Sequence, residues 1–109
     1  MKMKKFTVNG KQYQSKPFDF NLVCDLEDMG IPVDEMGKKR FSVTRAYLAL
    51  CANMSNDEAG KELEAHAISG GTFEEINDAL SNEMEKSDFF RALIKKEETE
   101  TASDQGEAK

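Results

Sequence analysis

Residues 55–86, SNDEAGKELEAHAISGGTFEEINDALSNEMEK, read as two helices, Ser55–Ser69 and Thr72–Lys86, joined at Gly70-Gly71. Each opens on a hydroxyl followed three residues later by a glutamate: Ser55 with Glu58, and Thr72 with Glu75. In such a capping box the hydroxyl accepts from a free N–H of the first turn, while the glutamate returns to the cap residue's own N–H. Each box contributes on the order of 1 kcal/mol and marks where its helix begins. Gly70 supplies the left-handed residue that ends the first helix, and Gly71 gives the chain freedom to reverse. So short a connection predicts an antiparallel helical hairpin. Ala59, Leu63, Ala67 and Phe73, Ile76, Leu80, Met84 face inward at steps of three and four. Alone such a pair is marginal, so the rest of the chain has to cover it.

The cover comes from both sides. Lys4–Val8 and Lys11–Ser15 flank Asn9-Gly10, whose residues tolerate the two positive φ angles of a tight hairpin turn. A two-residue turn sets Val8 opposite Lys11, Thr7 opposite Gln12 and Phe6 opposite Tyr13. Phe6, Val8 and Tyr13 then share a greasy face that must lie on the helices. Lys16-Pro17 ends the second strand. Asp19 caps a first helix, Phe20–Met29, with Phe18 stapled onto Val23 and Leu22, Leu26 and Met29 inward. Gly30 stops it, and Ile31 is placed to touch Leu26 as in a Schellman ending. Asp25, Glu27 and Asp28 sit in the last turn, the wrong sign for a helix C-terminus, and read as a solvated acidic face. Pro32–Gly37 suits a short helical turn or a loop, with Lys38-Lys39-Arg40 as its basic exit. Ser42 caps the next helix, Val43–Met54, whose stripe of Val43, Tyr47, Leu50 and Met54 is widened by Phe41, Leu48 and Cys51. An arc that broad marks the central helix, and Ala46, Ala49 and Ala52 allow close neighbours. Ser87–Ile94 either continues the last helix or restarts one at Ser87. The fold class is therefore α+β, mostly α. An N-terminal β-hairpin lies on four to five short helices in one domain over residues 1–96, and Glu97–Lys109 reads as a disordered acidic tail.

Composition narrows the chemistry. The chain has 109 residues, 39% hydrophobic and 33% charged, enough for one modest core. No apolar run approaches the ~20 residues of a membrane span, and the start does not read as a signal peptide. The net charge of −6 disfavours nucleic acid as partner, because phosphate contacts need Lys and Arg. Cys24 and Cys51 sit inside apolar helical patterns and read as buried free thiols rather than a disulfide. His66, the single histidine, lies mid-helix and reads as structural. With the two cysteines it does not complete a zinc site. No carboxylate spacing fits a calcium loop, and no glycine pattern fits a phosphate loop. The reading is a non-enzymatic protein with no catalytic residues, cofactor or metal.

The order of motifs resembles a known family. Phe6-Thr7-Val8-Asn9-Gly10-Lys11 with Tyr13 is followed by Phe18-Asp19-Phe20-Asn21-Leu22-Val23-Cys24-Asp25-Leu26-Glu27-Asp28-Met29-Gly30-Ile31. A helix of Tyr47–Ala52 type, Asp57-Glu58-Ala59-Gly60, the Gly-Gly turn, Phe73-Glu74-Glu75-Ile76 and Phe89-Phe90 complete the series. Over residues 4–94 this is similar to the tail assembly chaperones of long-tailed bacteriophages of Gram-positive hosts. The resemblance implies an assembly factor of the host cytoplasm, not expected in the mature virion. Its implied partners are the tape measure protein, which it keeps soluble, and the major tail tube protein, through a longer frameshifted form. It also implies self-association into rings or spirals, and neither nucleic acid nor membrane is expected as partner. The candidate contact patch is Phe89, Phe90, Leu93 and Ile94, against the alternative that these residues simply dock on the core. A competing functional class is a small acidic phage-encoded regulator that occupies a basic site on a host protein.

Overall fold

The computed structural model describes residues 5–93. Strands β1 (Lys5–Val8) and β2 (Lys11–Gln14) form a two-stranded antiparallel sheet. Helices α1 (Phe20–Asp28), α2 (Arg40–Ala52), α3 (Asn56–Ile68) and α4 (Glu74–Lys86) follow, with a 3-10 turn, Val33–Glu35, between α1 and α2. A fifth helix, α5, starts at residue 88 and runs to residue 93, the last described. The fold is α+β and mostly α. Lys4, Ile94 and the expected acidic tail lie outside the described residues.

Locally encoded features form as the residues dictate. Asn9 and Gly10 both take positive φ, 53° and 77°, and the register pairs Phe6 with Tyr13, Thr7 with Gln12 and Val8 with Lys11. Asp19 Oδ1 accepts from the Leu22 N–H at 2.9 Å and opens α1. The helix closes as a full Schellman motif: Gly30 at φ 89°, its N–H on the Glu27 carbonyl, and the Ile31 N–H on the Leu26 carbonyl, both at 2.9 Å. Leu26 and Ile31 are both buried beside that turn.

Helix α2 is the hub, packed on α1, α3, α4 and β2. Its Tyr47 is wholly buried, stacks on Phe6 at 6.4 Å, and reaches out of the helix to the strand exit. There the phenol accepts from the Lys16 N–H and donates to the Lys16 carbonyl, each at 2.8 Å. One hydroxyl thus satisfies both backbone groups of a residue in the β2–α1 connection.

Two of the expected helix starts are corrected. Helix α2 begins at Arg40, not behind Ser42: the first helical bond is Val43 N–H to the Lys39 carbonyl at 2.8 Å. Ser42 is inside the first turn, and Thr44 bonds back to the Arg40 carbonyl. The extra turn carries Phe41 to the surface, 76% exposed, where it meets the edge of Phe73 rather than the core. At α4 the cap residue is Phe73, and the Thr72 hydroxyl makes a long 3.4 Å contact with the Glu74 N–H. The second capping box is absent because Glu75 is used elsewhere: its carboxylate accepts from the Thr7 N–H of β1 at 2.8 Å. At Ser55 and Glu58 the first box forms in full.

The third correction concerns the helical hairpin. Helix α3 packs chiefly on α2, and α4 packs on β1 and α2, so the pair does not close on itself. Strand β1 touches both helices and brings Phe6 and Val8 into the core that the pair was expected to build alone. Ala67, expected inward, is exposed as a result, whereas Ala59, Leu63, Ile76 and Leu80 are buried.

Burial raises the Cys51 thiol from its usual 9.0 to about 11 and lifts the Tyr47 phenol further still. Between pH 9 and 11 the unfolded chain releases protons that the fold retains, so it binds fewer of them and stability falls as pH rises. Denaturant midpoints should decline upward from about pH 9, and less steeply in Cys51→Ala. Tyr47→Phe leaves the Lys16 groups without their buried partner and should destabilise by about 1–3 kcal/mol at neutral pH, read by urea unfolding.

Candidate functional site

The candidate surface is built at the joint between α4 and α5. Ser87 leaves the helical conformation with ψ 115° and ends α4. Its hydroxyl accepts from the Phe90 N–H at 2.9 Å and donates to the Phe18 carbonyl at 2.5 Å. The same oxygen therefore caps α5 and ties it to the residue before the α1 cap. Of the two readings of Ser87–Ile94, the restarted helix is the one observed.

That tie divides the two adjacent phenylalanines. Phe90 sets its ring edge-on to buried Phe18 at 5.0 Å. Phe89 meets Phe20 edge-on at 5.8 Å, and Phe20 is itself 61% exposed. Both rings are half-buried against the core: Phe90 rests on the buried Phe18, while Phe89 joins the core to the exposed Phe20 ring, and the two form an aromatic edge that reaches the surface. Leu93 is half-buried, and Ile94 lies outside the described residues. Arg91 pairs with Asp88 at 2.6 Å and also donates to the Glu85 carbonyl, which fastens α5 back onto the end of α4.

Beside the edge runs an open groove of about 340 Å³ lined by Pro17, Phe18, Asp19, Glu83, Lys86 and Phe89, among others. Glu83 is 3% exposed, a buried carboxylate in the groove wall. Its Oε2 accepts from the Ser15 hydroxyl at 2.5 Å and stands 3.5 Å from the Lys86 ammonium. A buried charge persists when it is paired and hydrogen-bonded in this way. Phe20 and Glu83 were missed in the sequence reading. Glu83 had a signal, since it stands seven residues after Ile76 on the same helical face as Ala79 and Leu80. Phe20 had none, because its exposure depends on where α5 comes to rest.

His66 is half-buried. Its Nδ1 accepts from the Asn9 N–H at 2.9 Å and its Nε2 donates to the Thr72 carbonyl at 2.8 Å, the pattern of the neutral Nε2–H tautomer. The imidazole thereby latches the hairpin tip to the α3–α4 turn. Gly71 is needed there for a reason other than chain reversal: a Cβ at 71 would overlap the imidazole ring. Asn9 also donates to Glu62 at 3.1 Å, and this bond, with Lys11 nearby, lowers the Glu62 pKa. Cys24 and Cys51 are free and half-buried rather than fully buried. Among the described residues, no group of three or more His, Cys, Asp or Glu could hold a metal ion, and no helix is long and apolar enough to cross a membrane.

Comparison with protein-family models, curated proteins and solved structures finds no match to this chain.

The two phenylalanines should separate in a stability assay. Phe90→Ser should lower stability by about 1–3 kcal/mol, several degrees in melting temperature, because it strips the ring from Phe18. Phe89→Ser, whose ring partner faces water, should lower it by less than half as much.

Proposed function

We propose that the protein is a non-enzymatic tail assembly chaperone of a long-tailed phage, binding the tape measure protein and keeping it soluble until tube subunits assemble around it. The resemblance of residues 4–94 to that family supports the reading. The observation that carries it is the Phe20–Phe89 edge beside the groove, where half-buried Phe89 meets a Phe20 ring that, with Phe41 and Ile68, is one of the large apolar side chains left exposed. A tape measure is long and exposes apolar helix stripes before assembly, and such stripes are bound by docking a helix against an apolar surface. Each contact of this size is weak. Many copies along one partner give avidity while each contact stays displaceable by the incoming tube protein. Self-association and recruitment of the tube protein through a longer form belong to the same proposal.

Co-expression with the neighbouring long helical open reading frame is the direct test. The chain should co-purify with that product and raise its soluble fraction several-fold, and Phe89→Ser should reduce the recovery without loss of fold. A long product equally soluble without the chain, or a gene placed in an early region away from tail genes, would favour the acidic-regulator class instead.

A further inference from the structure

Helix α1 carries a second feature next to the aromatic edge. At 100° per residue, Phe20, Cys24, Glu27 and Asp28 fall in one outward row, opposite buried Leu22, Val23 and Leu26. The row starts at the exposed Phe20 ring, broadened by Phe89, and ends about 12 Å away on two carboxylates. Asp25, Glu27 and Asp28 are all exposed, and α1 contains no Lys or Arg. Among the described residues none of the three takes part in an ion pair. They also sit at the negative end of the helix dipole, where each carboxylate destabilises the helix by a few tenths of a kcal/mol. By contrast, the charges at the opposite side of the joint are already matched, Lys86 by Glu83 and Arg91 by Asp88.

We infer that this row is a docking strip for a basic amphipathic helix, with an apolar anchor on Phe20 and Phe89 and Lys or Arg side chains about two turns away over Glu27 and Asp28. Charge complementarity selects the occupant. An acidic or second α1-like surface is repelled by the carboxylate end, and a purely apolar helix leaves those carboxylates desolvated beside it. The half-buried Cys24 between the two ends is small enough for a helix to approach. The aromatic end holds the partner, and the acidic end sets its orientation and speeds encounter. This rests on the reading of the protein as a binder of an unassembled helical chain, and it adds the sign and spacing that such a chain must present.

The test titrates the full chain against a fluorescent 18-residue peptide of Leu and Lys at helical spacing. Controls are its composition isomer with alternating spacing and the Leu/Glu counterpart. The helical Leu/Lys peptide should bind at least tenfold more tightly than either control. Phe20→Ser should weaken binding about tenfold. The double variant Glu27→Gln/Asp28→Asn should weaken it several-fold and flatten its salt dependence, while its melting temperature stays equal or rises. A merely structural role would instead lower that temperature. The inference is overturned if the alternating isomer binds equally well or if Phe20→Ser leaves affinity unchanged. It is equally overturned if the chain self-associates through Phe20 and does not take the peptide. Co-purification of the long partner with Phe20→Ser at wild-type yield would sink the strip and leave the chaperone reading standing. Peptide binding without co-purification would do the reverse.

Discussion

The Tyr47 phenol is the constraint on which the rest of the structure depends. Among the described residues the two-stranded sheet has no second sheet to hold the hairpin in place. Tyr47 does so from inside α2, stacking on Phe6 of β1 and closing both backbone groups of Lys16 where β2 leads toward α1. Sheet, central helix and first-helix entry are fixed by one side chain. Because Tyr47 is wholly buried, its two hydrogen bonds resist exchange with water, and a satisfied buried polar contact specifies a single arrangement.

With the hairpin anchored, β1 becomes the element to which α3 and α4 are fastened. Glu75 of α4 holds the Thr7 N–H, and His66 and Glu62 of α3 hold Asn9. These bonds explain why a short glycine link does not produce a closed helical pair. The apolar faces of both helices turn to α2 and the strand, and the side chains expected to cap or decorate the helices become attachments for the turn and strand backbone.

What was legible in the residues, and what was not, divides along the same line. The hairpin register, the Asp19 cap, the Gly30-Ile31 ending and the first capping box depend on residues a few positions apart, and all were readable. The start of α2, the exposure of Phe41, the use of Glu75 and the burial of Glu83 depend on partners 30 or more positions away, as the contacts of Thr44 with Asn77 and Ser15 with Glu83 illustrate. Local preference of about 1 kcal/mol for a Ser or Thr cap yields to such partners easily. Half of the candidate surface was legible for the same reason. Phe89 and Phe90 stood out as an apolar pair, but which of them rests on a buried ring and which on an exposed one is decided by Phe18 and Phe20, far away in sequence.

The Ser87 joint has a dynamic consequence. Helix α5 is held to the body by the Ser87 hydroxyl, two ring contacts and the Arg91 bond to the Glu85 carbonyl, so releasing it forfeits far less than global unfolding and makes it a separately opening unit. Each opening bares the Phe18 ring and the groove wall beside it. The area offered to an incoming chain is therefore not a fixed quantity but a population average, tunable through the few contacts at this joint, the Ser87 hydroxyl among them.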